Sequence, residues 1–114
     1  MPLIKANFST SVSKEQEESI KTELGSAISL FPGKSETYLM VQINDNQKLY
    51  FAGKNDEPIA LFEVQLLGKC SKEDCQKVTE KLCSIAKEII GINSNKVYVT
   101  FKEFDKWGFD SFMF

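Results

Sequence analysis

Histidine is absent from this 114-residue chain, which removes the side chain most used for proton transfer near neutral pH. Acid–base chemistry would therefore fall to a perturbed Lys, Asp, Glu or Cys, or to the chain's own terminal amine. Cysteine is scarce. Cys70, Cys75 and Cys83 form an odd set with no Cys-x-x-Cys pair, so a structural zinc site has no ligands to draw on. Cys75 and Cys83 stand on one expected helix, about 12 Å apart along its axis and too far to bridge, so reduced thiols in or near the core are expected. Long apolar runs are missing too: Ile59-Ala60-Leu61-Phe62 is cut by Glu63, which excludes a transmembrane helix. No signal peptide is visible, because Lys5 and Asn7 interrupt the start before an apolar stretch develops. There is no surplus of positive charge: the net charge is −2 and the pI about 5.2, so nucleic acid is not an expected partner. A chain made and folded in the cytosol is the expectation.

What is present describes one domain spanning residues 1–114. Hydrophobic residues at 42% and charged residues at 26% are ordinary for a globular protein of this size, which buries roughly 65% of its unfolded surface. An internal repeat organises it. Shifted by 58 residues, Ser13-Lys14-Glu15-Gln16 lies over Ser71-Lys72-Glu73-Asp74, and both read as helix N-termini. Ser13 and Ser71 are candidate N-caps; Gln16 completes a capping box, and Asp74 favours the positive end of the second helix. Ile20, Leu24, Ala27, Ile28 and Phe31 then align with Val78, Leu82, Ile85, Ala86 and Ile89, an apolar face at helical spacing in each copy. Gly33 and Gly91 follow, where left-handed C-caps are expected.

The flanking strands obey the same shift. Ile4, Ala6 and Phe8 match Phe62, Val64 and Leu66, while Leu39, Val41 and Ile43 match Val97, Val99 and Phe101. Each half, about 2–45 and 58–103, is thus a βαβ unit whose right-handed crossover makes its two strands parallel. The predicted fold is α/β (α+β): a four-stranded mixed sheet with two helices on one face. A short extra strand is expected at Lys48-Leu49-Tyr50-Phe51-Ala52, with a turn at Asn44-Asp45-Asn46 and a loop from Gly53 to Pro58. The other sheet face carries Lys5, Asn7, Gln42, Asn44, Glu63, Gln65, Thr100 and Lys102, suited either to bulk water or to a wet channel inside an oligomer. Phe101, Phe104, Trp107, Phe109, Phe112 and Phe114 are more aromatics than so small a core hides, which favours contact between subunits.

Pro2 has two readings. Proline suits the first position of a strand, and a small second residue also permits removal of Met1, leaving a free secondary amine that no internal residue can supply. With Met1-Pro2, the chain carries Gly33-Lys34 followed by Tyr38, and Phe51-Ala52-Gly53 with Pro58 and Ala60. It also carries Leu67-Gly68-Lys69, Lys96-Val97-Tyr98, and Trp107-Gly108-Phe109 with Ser111-Phe112. In this order and spacing the sequence resembles the macrophage migration inhibitory factor (MIF) family of the tautomerase superfamily, along essentially its whole length.

The resemblance implies a homotrimer with active sites at subunit interfaces and no cofactor or metal. It implies a phenylpyruvate tautomerase, or dopachrome isomerase, acting on small aromatic 2-oxo acids. Pro2 would be the catalytic base, with Lys34 holding the substrate carboxylate and lowering the amine's pKa. Leu67 would form an apolar wall and Tyr98 would come from a neighbouring subunit. Tyr38, Trp107 and Phe112 would line the aromatic rim. Two positions depart from the family pattern at the pocket: Leu67 replaces a usual isoleucine, and Thr100 a common asparagine, which weakens the expected hydrogen bond to the substrate's far end. Ser35 stands where a proline often follows Gly-Lys, leaving the loop that carries Lys34 less restrained. Ile59 to Phe62 replaces the redox-type Cys-x-x-Cys of some relatives, so thiol oxidoreductase activity is not supported. The resemblance also implies a second role outside the cell as a cytokine-like ligand of a host or cell-surface receptor, reached without a signal peptide. Two alternatives stay open: a signalling protein with a vestigial pocket, and a duplicated βαβ module that binds a small ligand without turnover.

Overall fold

The computed structural model describes residues 1–114. Strand β1 (Pro2–Phe8) leads into helix α1 (Lys14–Ile28), and β2 (Met40–Asn44) closes the first unit. Strand β3 (Ala60–Leu67), helix α2 (Lys72–Ile85) and β4 (Val97–Phe104) form the second. The sheet order is β2-β1-β3-β4. β1 and β2 are parallel, as are β3 and β4, while β1 and β3 meet antiparallel at the centre. The two βαβ units expected from the repeat are therefore both present, joined through their first strands.

Alternation builds the core. Ile4, Ala6 and Phe8 on β1, and Phe62, Val64 and Leu66 on β3, are almost wholly buried beneath Ile20, Leu24 and Ile28 of α1 and Val78, Leu82 and Ile85 of α2. Phe8 and Phe62 meet edge to face at 5.8 Å. Both helices start as their sequences dictate. The Ser13 hydroxyl accepts from the Gln16 N–H at 3.1 Å while the Gln16 side chain accepts from the Ser13 N–H at 2.9 Å, and the Ser71 hydroxyl accepts from the Asp74 N–H at 3.1 Å.

Helix ends differ between the halves. α2 runs into a π-helical turn, Ala86–Ile90, closed by Gly91 in the left-handed region (φ 85°) as expected. α1 stops at Ile28, earlier than its apolar stripe suggests, because Pro32 has no N–H to return to the Ile28 carbonyl and disfavours helix at Phe31. Gly33 (φ 76°) does not cap the helix; it serves a turn closed by the Lys34 N–H on the Phe31 carbonyl at 3.1 Å. Phe31 stays buried and packs edge to face on Phe101 at 6.2 Å.

The extra strand expected at Lys48–Ala52 is not formed. Phe51 and Lys54 pair only with each other, across Ala52 (φ 54°) and Gly53 (φ 75°), and the β-prone residues before them join neither open edge of the sheet. Instead the C-terminus makes a small hairpin, β5 (Gly108–Phe109) with β6 (Phe112–Met113), turning through Asp110 and Ser111, both at positive φ. No helix is long and apolar enough to cross a membrane.

Candidate active site

The chain start, the end of β3 and the turn after α1 converge at one corner of the sheet. Register places Pro2 opposite Leu66, and the Leu67 N–H donates to the Met1 carbonyl at 3.2 Å. The Leu67 carbonyl in turn accepts from Lys34 Nζ at 3.0 Å. Leu67 thus fixes both the chain start and the lysine, leaving two ammonium hydrogens on Lys34 for another acceptor. The Pro32-Gly33 turn carries Lys34 back over the sheet. Ser35 caps the next turn: its hydroxyl accepts from the Thr37 N–H at 3.3 Å at the start of the helical turn Glu36–Tyr38.

The electrostatics of this corner bear on the amine. The N-terminal ammonium is held below its ordinary pKa of 8.0, first by burial and then by the charge and hydrogen bonding of Lys34. That amine belongs to Met1. The nitrogen of Pro2 stands one residue further into the same surroundings, about 3.3 Å along the strand, and Pro2 is itself buried.

Beside it opens a cavity of about 750 Å³, lined mainly by apolar groups: Pro2, Leu3, Tyr38, Met40, Trp107 and Phe109 among them. Tyr38 and Phe109 meet edge to face at 5.7 Å across its mouth. The C-terminal hairpin shapes this wall, since Trp107 and Phe114 exchange backbone hydrogen bonds at 2.8 and 3.3 Å. Pro2, Tyr38 and Trp107 line this cavity; Lys34 and Leu67, tied to each other and through Leu67 to the chain start, stand next to it and do not line it.

The other expected site residues lie elsewhere. Phe112 is 71% exposed on the outer strand of the hairpin and does not line the cavity. Tyr98 pairs with Leu61 and Thr100 with Glu63, so Tyr98 sits about 20 Å along the strand from the Leu67 end. Tyr98 is 63% exposed, with its ring against Phe51 at 5.5 Å. Within one chain, neither residue reaches Pro2. Phe109 and Met40 are wall residues that sequence reasoning did not single out. The sequence marked Phe109 among the surplus aromatics and in the Trp107-Gly108-Phe109 motif but not as a pocket residue; its place depends on a hairpin whose Asp110-Ser111 turn is a weak signal, because both residues must adopt the left-handed region.

The family model for macrophage migration inhibitory factor (MIF) matches residues 1–111. Macrophage migration inhibitory factor of Mus musculus is 26% identical over 84 residues, covering 74% of this chain and 72% of its own. Among solved structures, MIF2 of Leishmania major superposes with a TM-score of 0.92 at 20% identity, covering 100% of this chain and 97% of that one. The structure of Pt0534 inactivated by 2-oxo-3-pentynoate has a TM-score of 0.74 at 20% identity, covering 90% of this chain and 84% of that one.

Proposed function

The chain belongs to the macrophage migration inhibitory factor family, and from that premise we propose that it is a keto–enol tautomerase of phenylpyruvate-like 2-oxo acids, with Pro2 as its base. One observation carries the reading: a depressed N-terminal amine, a lysine with donors to spare and an apolar aromatic-walled cavity meet at one corner. With Met1 removed, the Pro2 nitrogen is a secondary amine beside the position where burial and Lys34 hold the Met1 amine below its ordinary pKa, surroundings that disfavour the charged form. It takes a proton from the carbon beside the substrate carbonyl and returns one to carbon or oxygen. Lys34 holds the substrate carboxylate by a charge-assisted hydrogen bond. Tyr38, Trp107 and Phe109 receive the aromatic ring. A 2-oxo acid also inactivates Pt0534, a protein of the same fold, which agrees with this substrate class.

The working unit in this proposal is a trimer. Tyr98 and Thr100 stand at the far end of the sheet, and Tyr98 completes a neighbour's pocket rather than its own. Met40, Phe112, Met113 and Phe114 are each more than half exposed, an apolar surface that a neighbouring chain would cover. The edges of β2 and β4 carry no strand partner on their outer sides.

Ketonisation of the phenylpyruvate enol tests the function. The processed chain should turn it over, and Pro2→Gly, which makes the amine primary and flexible, should lower kcat strongly with a modest change in KM. Absence of turnover by the processed chain would overturn the proposal.

A further inference from the structure

Cys70 and Cys75 make no Cys-x-x-Cys pair, yet the fold brings them together. Cys70 lies on the loop leaving β3, just beyond Gly68, whose φ of 93° turns the chain towards the helix layer. Ser71 caps α2, and the Cys75 N–H donates to the Ser71 carbonyl at 3.0 Å, so the first turn of the helix brings Cys75 back over Cys70. The two sulfurs stand 3.2 Å apart, both on half-buried residues. A disulfide needs them to close to about 2.05 Å, a small movement for a loop residue. Cys83 lies further along α2 and takes no part.

We propose that Cys70 and Cys75 form a dithiol that closes reversibly to an intramolecular disulfide, a redox-modification site at the start of α2. The setting assigns the order of events. Burial, together with the hydrogen bond to Cys75 and the nearby Glu103 carboxylate, pushes the Cys70 thiol up to about 12, so Cys70 remains protonated. Its Sγ stands 3.6 Å from Glu103 Oε2, which also accepts the Cys70 backbone N–H at 2.8 Å. Cys75 is therefore the thiol that reacts first. With a peroxide as oxidant, the Cys75 sulfur gives up its proton and attacks one peroxide oxygen. The O–O bond breaks, the departing oxygen takes up a proton, and Cys75 becomes a sulfenic acid. The Cys70 sulfur then attacks the Cys75 sulfur, the S–O bond breaks, and hydroxide leaves with the Cys70 proton as water. Two thiols are oxidised and one peroxide is reduced.

The site adjoins the candidate active site without belonging to it. Cys70 and Lys34 line a common cleft of about 140 Å³ with Phe31, Pro32 and Lys69. Closing the bond removes the thiol facing Glu103 and ties the loop after β3 to α2.

The test uses the full chain carrying Cys83→Ser, which leaves only the pair. The chain is treated with stoichiometric hydrogen peroxide, or separately with oxidised glutathione, then alkylated with iodoacetamide and weighed intact. The expected result is a loss of about 2 Da with no alkylation, reversed by dithiothreitol. A Cys70–Cys75 linked peptide should appear, and the chain should run as a single chain on a non-reducing gel. Cys70→Ser and Cys75→Ser in the same background, with unchanged thermal midpoints, should each instead keep a glutathione adduct or go on to sulfinic acid. If the Cys83→Ser chain itself keeps a glutathione adduct on one thiol while the other alkylates, or cross-links between chains, the proposal is overturned. That result stands whether or not the serine variants fold.

Discussion

Replacing Lys34 by alanine removes two things at once. It takes away the ammonium that donates to the Leu67 carbonyl at 3.0 Å, and the positive charge that, after burial, most depresses the N-terminal amine. The Leu67 carbonyl sits at a half-buried strand end where water can replace the lost donor, so the fold should survive. If Lys34 holds the substrate carboxylate, the loss of one charge-assisted hydrogen bond costs about 1.5–3 kcal/mol, or about 10- to 150-fold in kcat/KM, carried mainly by KM. A second signature is independent of the first. The amine works in its neutral form, so activity falls as pH drops through the amine's pKa. Removing the cation leaves burial as the main influence depressing that pKa, and the acid limb of the pH–rate profile should move up. Steady-state kinetics on the phenylpyruvate enol across this pH range, with circular dichroism to confirm folding, measures both. A folded Lys34→Ala chain with unchanged KM and an unmoved acid limb would refute the role given to Lys34.

Native mass spectrometry at micromolar concentration should find a trimer, and deleting Phe112-Met113-Phe114 should weaken it; a monomeric parent chain would contradict the assembly. Gly25→Ala should stabilise the fold by about 0.5–1 kcal/mol in urea unfolding, because Gly25 is inside α1 and the nearest atoms to the added methyl are those of the exposed Glu36 carboxylate, the far end of a flexible side chain that can swing aside. A loss of stability there would mean that Glu36 is held in place by something it cannot leave. Ser71→Ala should cost about 1 kcal/mol through loss of the cap on the Asp74 N–H, read as a lower urea midpoint at unchanged slope.

The fold was legible where local chemistry and tertiary packing agree. Ser13, Gln16 and Ser71 announce helix starts because their side chains bond backbone only a few residues away. The alternation of Ile4, Ala6 and Phe8 against Phe62, Val64 and Leu66 declares the buried face without knowledge of partners. Lys48–Ala52 misled for the opposite reason: Leu49, Tyr50 and Phe51 have strand propensity, but a strand needs a partner, and this segment pairs with neither open edge of its own sheet. α1 ended early because Pro32 decides the matter before Gly33 is reached.

At the candidate site, the grouping of Pro2, Lys34, Leu67, Tyr38 and Trp107 came from the family resemblance, since no spacing rule links residue 2 to residue 107. Phe109 was seen as a surplus aromatic but not as a pocket wall, because its position depends on a hairpin whose turn residues, Asp110 and Ser111, rarely hold the required conformation. The closeness of Cys70 to Cys75 was equally hidden. It arises from a loop folding back onto a helix cap, which neither helical nor strand periodicity describes.

The central claim is that a free Pro2 amine does the chemistry. Two preparations of the same chain, one wholly processed and one wholly retaining Met1 as verified by intact mass, should be compared on the phenylpyruvate enol at matched concentration. The processed chain should be active. The chain retaining Met1 should be essentially inactive, because the Pro2 nitrogen is then an amide with no basic lone pair and the Met1 amine is primary and displaced by one residue from the Pro2 position. Equal activity in the two preparations would contradict the account.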